Sequence, residues 1–222
     1  MTAQPNFKLN EKLTLEEYLK LEEENEQKYE YHDGYVYAMS GGSIPHSLIG
    51  GNIFLELGIL LKGKSCKPIN NDMKLWIEHK NRYFYPDCMV VCGKFELGKN
   101  HKDSITNPTI IIEVLSKSTE GYDRGDKFQA YRQLSSLRHY VLISQDKPQI
   151  EIFSRREDVQ AIKNDNVTNA SLWKITTLEG LDKVLSLELS TTEKIEISLK
   201  DVYEDIDFEK TEDNDKEEKK ED

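Results

Sequence analysis

Hydrophobic positions along the chain switch between helical and strand periods, and each switch predicts an element. Over residues 14–29, Leu15, Tyr18 and Leu19 recur at helical spacing against Glu16, Glu17 and the run Glu22, Glu23, Glu24. Thr14 with Glu17 three residues on has the capping-box spacing, so a helix starts there. Residues 29–39 alternate around Asp33-Gly34, a hairpin signal. Gly41-Gly42-Ser43 breaks the chain, and Pro45 suits the first turn of an apolar helix over residues 46–61. Residues 67–78 and 83–92 read as strands, and residues 95–106 as a charged loop. Residues 108–116 form a strand whose β-branched run Ile110, Ile111, Ile112 suits burial on both faces. Ser118-Thr119 opens a helix through about Leu134. Residues 138–144 and 149–153 read as strands joined by a turn at Asp146-Lys147-Pro148.

Residues 157–170 are mostly polar and predict an irregular connection. Short strands over 173–189 and a helical turn over 199–203 follow. From Phe208 onward the chain is nearly all Glu, Asp and Lys without periodicity, the composition of a disordered tail. Helices alternating with a mixed central set of strands place the class as α/β (α+β). The expected organisation is one domain over residues 1–207 and an acidic tail over 208–222. Removing the tail is expected to leave the thermal transition nearly unchanged; a large fall in Tm would show that it docks on the body.

Two strands carry an acid where an apolar residue would be routine. Asp87 follows Pro86 and precedes Val90-Val91; Glu113 lies between Ile112 and Val114-Leu115. An unpaired carboxylate in such a setting costs several kcal/mol, order of magnitude, so it needs a proton, a cation or a partner. One reading is that Asp87 and Glu113 point from neighbouring strands into one cleft and share a divalent metal. The alternatives are a Pro-Asp turn and a strand-end acid paired with a lysine.

Composition narrows the picture. At 222 residues the chain can bury a sizeable core. It has no apolar run near the ~20 residues of a membrane helix. Residues 1–12 show no signal-peptide pattern, so a cytoplasmic location and no membrane partner are expected. The three cysteines, Cys66, Cys88 and Cys92, are odd in number and lack paired short spacings, which points to reduced, buried thiols. The net charge is −11, of which residues 204–222 carry −7. The body therefore carries −4, which disfavours tight nonspecific duplex binding but leaves room for a local cationic cleft.

Thr119, Asp123, Lys127 and Tyr131 fall four apart and share one helix face. This is either an exposed ion pair contributing a few tenths of a kcal/mol or a face that carries Lys127 into the carboxylate cleft. Together, Tyr85-Pro86-Asp87, Ile112-Glu113-Val114-Leu115-Ser116 with Ser118-Thr119, and then Asp123, Lys127 and Tyr131 resemble the Uma-two family of the PD-(D/E)XK restriction-endonuclease-like superfamily. The resemblance takes in Glu30, Asp33-Gly34, Pro45-His46 and Tyr140-Val141-Leu142, over roughly residues 14–203.

That resemblance implies a restriction-endonuclease-like central mixed sheet flanked by helices, and a metal-dependent endonuclease acting on DNA. It implies Mg2+ or Mn2+ on Asp87 and Glu113, with the Val114 carbonyl, and Lys127 as the catalytic cation. Glu30, His46, Asp123 and Tyr131 are auxiliary candidates. The superfamily lysine normally lies two residues after the second acid, where this chain has Leu115; the resemblance suggests that Lys127 takes the role rather than Lys117. A homodimer would let two sites address two strands. The competing expectations are a nuclease-fold protein that binds nucleic acid or a partner without efficient catalysis, and a metal-dependent enzyme of a smaller substrate.

Overall fold

The structure, a computed structural model, describes residues 12–25, 27–39, 41–99, 101–156 and 173–208. The expected irregular connection over 157–170 and the tail beyond Phe208 lie outside these residues. Helix α1 (Leu15–Glu24) begins on a complete capping box: the Thr14 side chain accepts from the Glu17 N–H, and the Glu17 carboxylate accepts from the Thr14 N–H. Its one fully buried aromatic, Tyr18, stacks between Tyr31 and Tyr83 and anchors the helix. Strands β1 (Tyr29–His32) and β2 (Tyr35–Ala38) form the expected hairpin. Its two-residue loop has both Asp33 and Gly34 at positive φ, 49° and 100°, the combination that Asp-Gly tolerates best. Helix α2 (Ile44–Leu60) follows, with Ser43 as N-cap.

Most of the remaining strands build two sheets. They are β3 (Cys66–Asn70), β4 (Lys74–Ile77), β5 (Arg82–Phe84), β6 (Cys88–Cys92), β7 (Leu97–Gly98), β8 (His101–Ile105), β9 (Ile110–Leu115), β10 (His139–Ser144), β11 (Gln149–Arg155) and β12 (Trp173–Glu179). One sheet runs β2-β1-β5-β4-β8-β7 and the other β12-β11-β10-β9-β6-β3. Both are mixed: β4–β8 and β9–β10 pair parallel, and the other pairs antiparallel. A small hairpin, β13 (Val184–Glu188) with β14 (Lys194–Ser198), and α5 (Leu199–Val202) complete the fold. The mixed α+β class holds.

Several element boundaries are corrected. The predicted strand over 67–78 is two strands in different sheets, β3 and β4. The predicted strand over 83–92 is also two, because Pro86 and Asp87 form the crossing from β5 in one sheet to β6 in the other. The predicted charged loop contains β7 and β8, whose pairing is invisible to local hydrophobicity. The helix after Ser118 is composite: α3 (Glu120–Tyr122), a π-helical turn (Asp123–Lys127) and α4 (Phe128–Tyr131). Phe208, assigned to the tail, packs against Tyr203 with ring centroids 5.4 Å apart, so the truncation test should retain it.

The central strand is β9, buried along its whole length. Its alternation divides the core in two. Ile110, Ile112 and Val114 pack with Ile49, Ile53 and Leu57 of α2. Ile111 and Leu115 pack on the opposite face with Phe84, Tyr131 and Tyr140. Glu113 shares the face of Ile111 and Leu115, toward α4. The expectation of three reduced thiols is also corrected. The β3–β6 register sets Cys66 opposite Cys92, and the two form a disulfide, while Cys88 is buried and free. Burial pushes the Cys88 thiol pKa up, making it a poor nucleophile. Thiol titration of the denatured, unreduced protein should find one thiol per chain; three would show that the pair is reduced.

Candidate active site

Asp87 sits where the chain leaves one sheet for the other. The β6–β9 ladder ends at Cys88 opposite Ile112, leaving the Val114 N–H beyond it. Asp87 Oδ2 accepts that N–H at 2.7 Å, and the Asp87 N–H faces Glu113 Oε2 at 3.4 Å. The crossing at Pro86 thus places one carboxylate directly over the strand that carries the other. His46, in the first turn of α2, brings Nε2 to 3.5 Å from Asp87 Oδ2.

Glu113 divides its oxygens. Oε2 lies on the Asp87 side, whereas Oε1 accepts from Lys127 Nζ at 3.2 Å and from the Tyr131 hydroxyl at 2.8 Å. The Lys127 ammonium also lies 3.1 Å from Asp123 Oδ1 and 3.5 Å from Glu30 Oε1. The composite helix supplies Asp123, Lys127 and Tyr131 from one inward face, and strand β1 supplies Glu30. Lys127 is only 8% exposed, so the exposed ion-pair reading of this helix face is excluded. Lys117 is exposed. Leu115, two residues after Glu113, is buried in the core, so a lysine there would displace core packing rather than reach the cleft.

Three buried acids, Glu30, Glu113 and Asp123, therefore surround one buried lysine, and Asp87 adjoins Glu113 at the cleft. Burial pushes the pKa of Asp87 up, against the opposing pull of His46, the Val114 N–H and Lys127. Burial likewise raises the pKa of Glu113 well above the usual carboxylate range; Lys127 opposes this, while Asp87, Asp123 and Glu30 add to it. For Lys127, burial favours the neutral amine, but Asp123, Glu113 and Glu30 outweigh it and hold the proton firmly. Glu30 goes the other way: burial is overcome by Lys127 and His32, so its carboxylate stays ionised.

Asp87 and Glu113 are oxygen donors of the kind a hard divalent cation takes. One ammonium is shared by Glu30, Glu113 and Asp123, with Asp87 beside them, and such an excess of buried acids is costly unless protons or a cation offset it. Asp123 Oδ1 and Glu30 Oε1 are buried without a hydrogen-bond partner and face only the shared ammonium. Asp87 and Glu113 offer hard oxygen ligands on adjoining elements. Among the described residues no three His, Cys, Asp or Glu side chains converge as a ligand set. Two carboxylates with retained waters match the habit of Mg2+, which dehydrates reluctantly. A cleft of about 860 Å³ opens over this cluster and extends past Ser43 and His46 to Phe54, Lys28 and Asn70.

The chain matches the model of the Uma2 family, described as "Putative restriction endonuclease", over residues 15–189. It belongs to the Uma2 family. Its curated relatives include "Uncharacterized protein slr1290" of Synechocystis sp., 39% identical over 147 residues, 66% of this chain and 76% of that protein. A second Synechocystis relative, "Uncharacterized protein sll1609", is 34% identical over 168 residues, 76% of this chain and 88% of that protein. A crystal structure described as a "putative nuclease belonging to DUF820" from Anabaena variabilis matches with a TM-score of 0.64 and 16% identity. It covers 86% of this chain and 97% of its own, a likeness of fold.

Every candidate from the sequence of this Uma2 protein lies at the cleft or against it: Glu30, His46, Asp87, Glu113, Asp123, Lys127 and Tyr131. Two neighbours were missed. His32 brings Nε2 to 3.3 Å from Glu30 Oε2, and the Tyr122 hydroxyl lies 2.9 Å from the same nitrogen. The period of two along β1 puts His32 on the face of Glu30 and could have found it. Tyr122 is one residue off the series of four, so the spacing does not single it out. Among the described residues no helix is long and apolar enough to cross a membrane.

Proposed function

We propose that this Uma2 protein is a divalent-metal-dependent endodeoxyribonuclease with Asp87, Glu113 and Lys127 as its catalytic set. The observation that carries the reading is the Lys127 ammonium, buried 3.2 Å from Glu113 on a helix, where Leu115 cannot supply it. Asp87 and Glu113 would hold Mg2+ or Mn2+ with help from the Val114 carbonyl, and the cation would polarise the phosphoryl oxygen and acidify a bound water.

The chain's own groups supply the rest. Lys127 keeps its proton, so it is no general base; it offers a fixed positive charge to the attacking water or to the developing phosphorane charge. Asp123 and Glu30 pair with the same ammonium and help to hold it in place. Burial and the neighbouring Glu113 keep the Tyr131 hydroxyl protonated, so it donates to Glu113 and fixes the orientation of this carboxylate. His46 stands beside Asp87 at the capped start of α2, where it can bond a phosphate oxygen or steady Asp87.

The test is incubation of purified protein with plasmid and single-stranded DNA, with Mg2+ or Mn2+ and with chelator. Metal-dependent nicking is expected. Binding to DNA without cleavage under any of these cations would overturn the enzyme reading in favour of a nuclease-fold binding protein. Inertness toward both DNAs would reject DNA as the substrate.

A further inference from the structure

Helix α2 has a face that the site does not use. Ile44, Leu48, Leu55 and Ile59 are 77%, 38%, 59% and 59% exposed. At 100° per residue they fall on one stripe, away from the buried Ile49, Ile53 and Leu57. Glu56 is the only charged residue in the seventeen of this helix. A helix apolar all round belongs in an interior, and among the described residues nothing covers this side of it.

The stripe is self-complementary. Ile44 and Ile59 are equidistant from the midpoint between Gly51 and Asn52, and so are Leu48 and Leu55. A two-fold axis through that midpoint, with two α2 helices antiparallel, sets each Ile44 against the other copy's Ile59 and each Leu48 against the other copy's Leu55. This is the isologous geometry of a cyclic dimer.

The glycines agree. Gly51 and Gly58 lie along the edge of the stripe, and a Cβ on either would meet nothing within 4 Å. Packing among the described residues therefore does not require them, although each costs a mid-helix position about 1 kcal/mol relative to alanine. Close approach of a second backbone would require them.

We propose that α2 is the interface of a homodimer, formed by antiparallel packing of this stripe on its copy in a second chain. The four side chains expose on the order of 400 Å² per copy, the size at which an apolar patch marks an association site. Two copies bury roughly 800 Å² through the stripe alone, toward the ~1,200 Å² of a small stable interface, and the flanks of α2 add to it. An otherwise acidic chain of net charge −11 meets its copy here on an uncharged surface. Gly51 lines the cleft as well as the stripe, so the two clefts open beside the shared axis.

The test reads mass, not cleavage, and stands apart from the nuclease reading. Sedimentation equilibrium of the parent protein at micromolar concentration should give twice the 25.8 kDa chain mass. The double substitution Leu48→Glu with Leu55→Glu should halve it, with circular dichroism unchanged because both positions face solvent. Leu48→Glu with Leu55→Lys should restore the doubled mass, since antiparallel pairing sets each new acid against a new base. A monomeric parent, a dimer that survives the double glutamate change, or failure of the Glu/Lys pair to associate would each overturn the proposal.

Discussion

Lys127→Ala is expected to lower metal-dependent cleavage by on the order of a hundred- to a thousandfold, the loss seen when one preorganised transition-state contact is removed. Lys127 is the one lysine within reach of Glu113 among the described residues, and Leu115 holds the position from which the superfamily lysine would act. Its strongly raised pKa keeps it charged at any working pH, so the loss should be a loss of charge rather than of a proton-transfer group. Residual cleavage should need a higher pH, because Lys127 no longer opposes the upward push of burial on the Glu113 and Asp87 carboxyl groups.

Deleting the ammonium leaves Glu30, Asp123 and Glu113 without their shared counter-charge. Removing one partner of a buried ion pair typically costs about 3–5 kcal/mol. The variant is therefore compared with the parent at saturating Mg2+, where its melting temperature reports whether it is folded. Its affinity for the cation should be undiminished, because the carboxylates are intact and a competing charge is gone. Lys117→Ala, at an exposed position beyond β9, should cleave like the parent. The assignment fails if Lys127→Ala cleaves like the parent while Lys117→Ala does not.

Asp87→Ala and Glu113→Ala are each expected to abolish the thermal stabilisation that Mg2+ or Mn2+ confers, and with it cleavage. The two carboxylates adjoin across the crossing at Pro86, and neither alone makes a site. Isothermal calorimetry is the direct reading; unaltered metal binding in both variants would exclude them as ligands. Glu113→Gln adds the pH dependence. The folded pKa of Glu113 lies above its unfolded value, so the folded metal-free protein binds this proton more tightly than the unfolded chain. Stability is then lost as pH rises from the ordinary carboxylate range through the raised folded value.

Glutamine removes that titration. Metal-free Glu113→Gln should therefore melt at a higher temperature than the parent at neutral pH, with the difference shrinking toward pH 4.5. Cation affinity of the parent should rise over the same interval, because the proton must leave before the metal binds. A Glu113→Gln protein that melts below the parent across the whole range would show that the carboxylate is stabilising as it stands. That result would argue against a site short of positive charge.

Much of this site could be read in one dimension because its parts are local. Ile110 to Leu115 is too apolar for anything but a buried strand, so an acid at Glu113 was conspicuous. The spacing of four between Asp123, Lys127 and Tyr131 survives the π-helical turn well enough to keep all three facing inward. The capping box at Thr14 and the Asp-Gly hairpin depend on contacts three or four residues apart, which side-chain chemistry alone determines. The four-residue series could not say which way its face turned, and the hydrophobic pattern is equally consistent with an exposed ion pair.

The rest was decided by pairing between distant strands. Sheet membership separates β5 from β6 at Pro86, although only Pro86-Asp87 interrupts the hydrophobic run across them, because Pro lacks the N–H that would continue a ladder. Register alone sets Cys66 against Cys92, twenty-six residues apart. Glu30 reaches Lys127 only because β1 pairs with β5 in the sheet that abuts β9's own. Sequence thus determined which residues carry charge into an apolar interior and along which local face. Tertiary structure decided that three of those acids share one lysine, since burial and proximity, not residue type, set the field at that point.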